Sequence, residues 1–195
     1  VSAVFAYALE EGKISSNPFN AVKNEDEDKT KPEVFTPEQM TKLLEKADAK
    51  LVPFLAIGGF AGVRPEEMRR LDWQRNVDFE EGVIVVDYGQ GKKNKSRRVV
   101  TMTANLQAWL KTFRNAKGKV VPLTSRKERE LREAAMEAAK IKRWQQDVLR
   151  HSFIRYHYAT HNDLNLTAKE AGNHPDVIKE PYDPLAKPKA AKALS

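Results

Sequence analysis

Cysteine is absent from the 195 residues, which excludes disulfide bonds and metal sites built on thiolates. No window approaches the roughly 18 apolar residues that a membrane-spanning helix needs. No charged-then-apolar leader stands at the start of the sequence, and no segment is repeated along it. These absences predict no membrane partner and fit a cytoplasmic protein.

Positive charge is in excess. The chain has 34 lysines and arginines against 27 aspartates and glutamates, so its formal net charge is +7. This excess favours a polyanionic partner, although it is spread over a mixed surface, since 31% of all residues are charged. With 41% hydrophobic residues, the chain can build one domain of catalytic size around a core.

The sequence begins inside a helical pattern. Residues 1–12 place Val4, Tyr7 and Ala8 on one face and end at Gly12, a common helix C-terminus. The next stretch collects Ser, Asn, Pro and the charge run NEDEDK, which is typical of an exposed linker. This composition places a domain boundary at residues 23–33. Because the chain starts at Val1 rather than Met, and inside a helical pattern, we expect it to be a fragment of a longer protein.

The remainder is predicted to be mainly α with a small antiparallel β-sheet. Thr36, Pro37 and Gln39 form a helix-start pattern, with Thr36 as N-cap and Gln39 in the capping-box position. Between residues 77 and 102 β-branched residues alternate around a GKKNKS turn, which predicts a hairpin or a three-stranded sheet. Further helices are predicted at residues 51–61, 65–73, 105–113 and 125–144, and at a second capping-box pattern formed by Thr167 and Glu170, ending at Gly172.

Two arginines and a tyrosine carry side chains suited to phosphate chemistry. Arg64 stands between a predicted helix end and a helix start, where free N–H groups and the helix dipole favour an anion. Arg150 can hold a phosphate by two parallel hydrogen bonds. Tyr182 has a hydroxyl that can attack phosphorus and stay attached. An arginine together with a tyrosine suggests covalent phosphoryl transfer.

The segments AGVRPEEMRRLDW, GKKNKSRRVVTM and LRHSF, followed by AGN and Tyr182, resemble the tyrosine recombinase (phage integrase) family. Residues 1–22 are similar to the last helix of its core-binding domain and residues 34–186 to its catalytic domain, leaving 187–195 as a C-terminal tail. The resemblance implies the tyrosine recombinase catalytic-domain fold. It also implies a site-specific recombinase or integrase that cuts and rejoins double-stranded DNA through a 3′-phosphotyrosyl intermediate, without metal or nucleotide cofactor.

The resemblance also assigns roles to residues. Arg64 and Arg150 would bind the scissile phosphate, whose pentacoordinate state carries extra negative charge, and Tyr182 would be the nucleophile. The catalytic lysine, a general acid for the departing 5′-oxygen, falls best on Lys93. Supporting roles fall on Glu67 and His151. The predicted DNA-binding residues of the hairpin are Lys92, Lys95 and Arg97, of which the two lysines also stay open as the catalytic one.

Two positions depart from the family pattern. Asp147 stands where the family usually has histidine, three residues before the second arginine; a carboxylate can accept a proton but also repels phosphate. Asn173 stands nine residues before Tyr182, where histidine or tryptophan is usual, and an amide cannot transfer protons near neutral pH. His174 is adjacent and could take over if the turn shifts by one. In addition, Pro181 restricts the pose of Tyr182.

His157 and His161 are spaced i, i+4 and could share a metal ion. No HExxH glutamate and no third ligand at a suitable spacing accompany them, so no metal is predicted. For each predicted site residue a structural role is the alternative: a helix-capping surface arginine at position 64, a solvated turn lysine at 93, a half-buried tyrosine at 182.

Several functions stay open at this stage. By resemblance, the protein would be encoded by a bacterium or a phage, and four protomers would assemble on two DNA sites. The first alternative is a DNA-binding protein of the same fold that cuts feebly or not at all, and the second is a type IB topoisomerase. A metal-dependent nuclease is disfavoured because no cluster of carboxylates is apparent. A helical protein-interaction domain is the last alternative.

Overall fold

The computed structural model describes residues 2–18, 32–87 and 97–179. The chain divides into two compact units, Val1–Thr30 and Lys31–Ser195. The first unit contains helix α1, Ser2–Glu10. Gly12, the predicted end of this helix, follows it in a left-handed conformation. The second contains α2 Pro37–Lys46, α3 Val52–Ala61, α4 Pro65–Met68, α5 Trp73–Asn76, β1 Val77–Asp78, β2 Val83–Asp87, β3 Arg97–Thr101, α6 Ala104–Leu110, α7 Ser125–Ala138, α8 Val148–His161, α9 Leu164–Ala171 and α10 Pro175–Lys179.

Helix α3 lies at the centre of the second unit. Every residue from Pro53 to Ala61 is buried, as its all-round apolar sequence predicted. Gly58 lets α8 approach closely, since a Cβ there would lie 2.8 Å from Leu149 Cδ1. A side chain at Gly59 would overlap Met40 of α2 in the same way. The core therefore forms where α2, α6 and α8 pack on one apolar helix.

The three strands form an antiparallel sheet in the order β1-β2-β3. In β3 the buried and exposed side chains alternate, so Arg98 and Val100 point inward while Arg97, Val99 and Thr101 point outward. The prediction of a mainly helical protein with a small antiparallel sheet is confirmed. The hairpin tip, with Lys92, Lys93 and Lys95, lies outside the described residues.

The predicted helix at residues 65–73 is wrong. It is one turn, Pro65–Met68, followed by a separate turn at Trp73–Asn76. Arg69 and Arg70 form a turn, and the chain becomes extended at Asp72, where the Leu71 carbonyl accepts from Val120 N–H at 3.0 Å and Trp73 N–H donates to the Gly118 carbonyl at 2.9 Å. These bonds to a distant segment outcompete the local helical pattern. The dipole expected beside Arg64 is correspondingly small, since it grows with helix length.

Two further helix boundaries differ from the prediction. Helix α7 ends at Ala138 rather than near residue 144, because Lys140 is left-handed and Ile141 N–H bonds back to the Met136 carbonyl at 2.9 Å. Helix α9 is capped by Asp163, whose carboxylate accepts from Leu166 N–H at 2.9 Å. Thr167, the predicted cap, lies within α9. No helix within the described ranges is long and apolar enough to cross a membrane.

Candidate active site

Arg64 lies in the turn between α3 and α4, with 39% of its side chain exposed. Its Nη2 donates to the Gly172 carbonyl at 3.0 Å and to Asn173 Oδ1 at 2.7 Å. Its Nη1 lies 3.3 Å from Glu67 Oε1, while its backbone N–H donates to Glu67 Oε2 at 3.0 Å. Arg64 is thus joined to a turn more than a hundred residues further along the chain.

Arg150 approaches the same turn from helix α8. It is buried, with 5% exposure, and its Nη1 donates to the Gly62 carbonyl at 2.5 Å. Its Nη2 donates to Asn173 Oδ1 at 2.7 Å. The structure therefore brings together Arg64, Arg150 and Asn173, three residues that the sequence analysis singled out.

Asn173 is the link between the two arginines. Helix α9 ends at Gly172 with φ 66°, and Asn173 N–H bonds back to the Ala168 carbonyl at 2.9 Å, which fixes the turn. One oxygen, Asn173 Oδ1, then accepts from Nη2 of both guanidinium groups at 2.7 Å. Two like charges repel, and the shared carbonyl dipole offsets part of that repulsion. The result is a pair of cations that converge on one oxygen atom.

Glu67 contacts Arg64 and is itself bound by Arg98. Arg98 is buried, with 5% exposure, and donates from Nη1 to Glu67 Oε1 at 2.9 Å and from Nη2 to Oε2 at 2.6 Å. Burial by itself would raise the pKa of Glu67. The hydrogen bonds and charge of Arg98, together with the Arg64 N–H and charge, outweigh burial and hold that pKa below its ordinary value. Glu67 is therefore a carboxylate at neutral pH.

A second carboxylate, Glu170, ties α9 to α8 and β3. His157 Nε2 lies 3.2 Å from Glu170 Oε2, and the Thr101 hydroxyl donates to Oε1 at 3.0 Å. Burial favours a raised pKa for Glu170, but the bonds from His157 and Thr101 and the His157 charge lower it overall. The second ring nitrogen of His157 bonds the Thr167 hydroxyl at 2.8 Å. His157 thus has two protein partners and a structural position.

Asp147 and His174, which lie at or next to the positions that depart from the family pattern, are in different environments. Asp147 is left-handed at the start of α8, with φ 56°, and its side chain does not cap the helix. It lines a cavity of about 200 Å³ together with Arg150. His174 is directed to solvent, 74% exposed, with Nδ1 3.1 Å from Asp176. The turn therefore presents Asn173, and not His174, to the arginines.

Two other predicted residues are half-buried or exposed. Burial lowers the pKa of His151, Arg150 acts in the same direction and Asp147 opposes it, so the ring is neutral near pH 7. Arg97 is exposed on the outer face of β3, where Nε bonds Asp87 at 2.7 Å. Tyr182, Pro181 and the three hairpin lysines lie outside the described residues.

The rings of His157 and His161 lie against each other at an interplanar angle of 37°, with their centroids 4.2 Å apart. Burial and the neighbouring His157 lower the pKa of His161. Within the described parts of the chain, no group of three or more His, Asp or Glu side chains is placed to hold a metal ion.

Sequence reasoning missed Arg98 and the carbonyl groups of Gly62 and Gly172. A signal for Arg98 was present: in an alternating strand with Val100 inward, position 98 is also inward, and a buried arginine needs an acidic partner. The carbonyl acceptors had no signal, because any residue type supplies a carbonyl and only the fold decides which one faces an arginine.

Comparisons with known proteins identify the family. The model of the family described as Phage integrase family matches residues 33–177. IntR, a prophage integrase of Escherichia coli (strain K12), is 26% identical over 108 residues, which are 51% of this chain and 26% of IntR. The chain spans about a quarter of the length of the curated relatives it matches.

Solved structures show the same fold. A lambda integrase dimer bound to a COC′ core site matches 95% of this chain and 71% of its own, with a TM-score of 0.67 and 15% identity. The XerA recombinase matches 97% of this chain and 72% of its own, with a TM-score of 0.65 and 19% identity. At these identities the likeness concerns the fold alone. Because the family match covers most of the sequence, the chain belongs to the phage integrase family, and it has the fold of a tyrosine recombinase catalytic domain.

Proposed function

We propose that this chain is the catalytic part of a site-specific recombinase that cuts and rejoins duplex DNA through Tyr182. The observation that carries the proposal is the single oxygen, Asn173 Oδ1, bound by both Arg64 and Arg150 at 2.7 Å. Guanidinium groups that converge on an amide oxygen can converge on a non-bridging phosphate oxygen, with stronger, charge-assisted bonds. The DNA-bound state of the lambda integrase structure supports DNA as the partner.

The family resemblance implies a reaction in which Tyr182 takes up the phosphate of the cut strand and later releases it. The Tyr182 oxygen attacks phosphorus, the bond from phosphorus to the 5′-oxygen breaks, and Lys93 protonates the departing oxygen. The pentacoordinate state carries more negative charge than the diester, so a preorganised arginine pair stabilises it more than the ground state. Asp147, as a carboxylate, can accept the tyrosine proton. The reverse attack by a 5′-hydroxyl rejoins the strand.

A covalent trap tests this proposal. The chain is incubated in chelator with nicked duplexes from a broad genomic pool and run on a denaturing gel beside the variants Tyr182→Phe and Tyr158→Phe. Tyr158 is the matched control, a half-buried tyrosine of α8. We expect an adduct with the wild type and with Tyr158→Phe, and none with Tyr182→Phe. An adduct that survives Tyr182→Phe would contradict the proposal, and activity lost in chelator would favour the metal nuclease.

The second candidate is a DNA-binding protein of this fold that does not cut. Asn173 cannot transfer a proton, and His174 is turned away from the arginines. This candidate predicts duplex binding with no adduct, and recovery of the adduct when histidines are restored by Asp147→His with Asn173→His. Relaxation of supercoils without site preference would instead indicate a type IB topoisomerase. No DNA binding at low salt would favour an interaction domain. The tetramer on paired sites stays a prediction.

A further inference from the structure

Arg98 is a buried cation that none of the predicted roles uses. An arginine taken out of water costs several kcal/mol unless hydrogen bonds and an opposite charge compensate. Arg98 obtains both from Glu67 through two parallel bonds, at 2.9 and 2.6 Å. Its Nε donates in addition to the Glu170 carbonyl at 3.0 Å, near the end of α9. Its side chain therefore spans from α4 to the turn that presents Asn173.

Glu67 is shared unequally between two arginines. Its bonds to Arg98 are 2.9 and 2.6 Å long, whereas the Arg64 guanidinium lies 3.3 Å from Oε1. The negative charge of Glu67 is thus mainly compensated by Arg98. Without that compensation, an ionised Glu67 would form a full ion pair with Arg64, and the Arg64 guanidinium would attract a phosphate less strongly.

Arg98 also packs against the turn at Gly172, whose carbonyl accepts a hydrogen bond from Arg64. A Cβ at Gly172 would lie 3.0 Å from Arg98 Nη1 and 3.1 Å from Cζ, so the guanidinium packs directly on this turn. The carbonyl of the same Gly172 accepts from Arg64 at 3.0 Å. One side chain therefore contacts both elements that hold Arg64 in place.

We propose that Arg98 is a positioning residue of the phosphate site. It binds both oxygens of Glu67, so that Arg64 is not fully paired with Glu67 and stays available to bind a phosphate oxygen. The inference rests on the proposed function in one respect only, that Arg64 and Arg150 bind phosphate. It goes beyond that function because Arg98 touches neither phosphate nor the nucleophile in this scheme, and acts through Glu67 and the turn at Gly172.

The test measures inorganic phosphate binding by NMR, from the side-chain Nε–H signals of Arg64 and Arg150. We expect Arg98→Gln to weaken phosphate binding about tenfold, because Glu67 then draws Arg64 away. The double variant Glu67→Gln with Arg98→Gln should recover to within about threefold of wild type, since no charge is left to compensate. Arg114→Gln, which removes an exposed arginine paired with Glu80, is the control and should change nothing.

Two results would overturn the proposal. The first is that Arg98→Gln folds and binds phosphate as tightly as the wild type. The second is that the double variant folds but binds phosphate about ten times more weakly than the wild type. The second result decides the matter even if Arg98→Gln alone fails to fold. A merely structural Arg98 predicts no recovery in the double variant. If the protein binds phosphate but forms no DNA adduct, the proposed recombinase reaction is contradicted, while the conclusion about Arg98 is unaffected.

Discussion

Glu67 receives hydrogen bonds from four donors on two arginines, and its pKa is held below the ordinary glutamate value of 4.5. A carboxyl group whose pKa is lower in the folded than in the unfolded state stabilises the fold at pH values above the unfolded pKa. This stabilisation is lost as the pH falls through the lower, folded-state pKa. Glu170 has the same sign, so both residues should make acid pH destabilising.

We predict that Glu67→Gln destabilises the protein at pH 7 by about 3 kcal/mol, because it leaves Arg98 buried without a carboxylate. The loss of stability on acidification below pH 4.5 should also become shallower than in the wild type. Urea unfolding at a series of pH values measures both effects. Glu130→Gln is the control, because Glu130 pairs with Arg126 and Lys127 at the surface and its removal should matter little. If Glu67→Gln lost stability below pH 4.5 as steeply as the wild type, the lowered pKa of Glu67 would be contradicted.

Asn173 explains how an arginine pair stays converged without the usual histidine. Its amide oxygen accepts two charge-assisted bonds, which a neutral histidine nitrogen could not do with the same geometry, since one nitrogen lone pair accepts one bond. The assignment of the amide oxygen rather than the amide nitrogen to this place follows from the two donors facing it. The substitution therefore favours arginine positioning over proton transfer.

At the scale of elements, the site depends on how closely α3 and α8 approach at Gly62. Gly62 ends α3 in a left-handed conformation with φ 61°, and its carbonyl accepts from Arg150. A side chain here would overlap the ring of Phe153 on α8. The packing of the two helices and the placement of Arg150 are therefore fixed by the same residue.

We predict that Gly62→Ala destabilises the protein by about 1–3 kcal/mol more than Gly118→Ala does, because the added methyl group meets Phe153. Gly118 is the matched control: it is also left-handed, with φ 76°, but open space surrounds its Cβ direction. Both variants carry the same backbone strain, so the difference isolates the overlap. Chemical denaturation of the two variants measures it, and equal losses would contradict the role given to the α3–α8 contact.

At the scale of the whole molecule, the net charge of +7 favours the proposed DNA partner, whose condensed counterions would be released on binding. We predict that the logarithm of duplex affinity falls linearly with the logarithm of salt concentration, and that Arg64→Gln makes the slope shallower by about 1. Fluorescence anisotropy on a labelled duplex at several salt concentrations measures the slopes. Arg114→Gln should leave the slope unchanged, and an Arg64→Gln slope equal to wild type would argue against a phosphate contact.

The fold was predictable where local chemistry decides the outcome. Thr36 and Gln39 form the capping box of α2 with bonds of 2.9 and 3.2 Å, as their spacing predicted. The same pattern at Thr167 failed because Asp163 caps α9 and the Thr167 hydroxyl donates to its carbonyl instead. The end of α7 was missed because a lysine, not a glycine, adopts the left-handed turn at position 140. In both places two local arrangements compete within five residues, and residue type alone does not decide between them.

The sequence by itself determined the family, the helical class, the small sheet and the choice of Arg64, Arg150 and Asn173, because motif spacing and periodicity are local properties. Only the tertiary structure decided that one oxygen of Asn173 joins the two arginines and that His174 faces solvent. It also revealed Arg98, whose partner Glu67 lies 31 residues away. Hydrogen bonds act over about 3 Å in space, and a linear sequence does not state which distant residues meet at that distance.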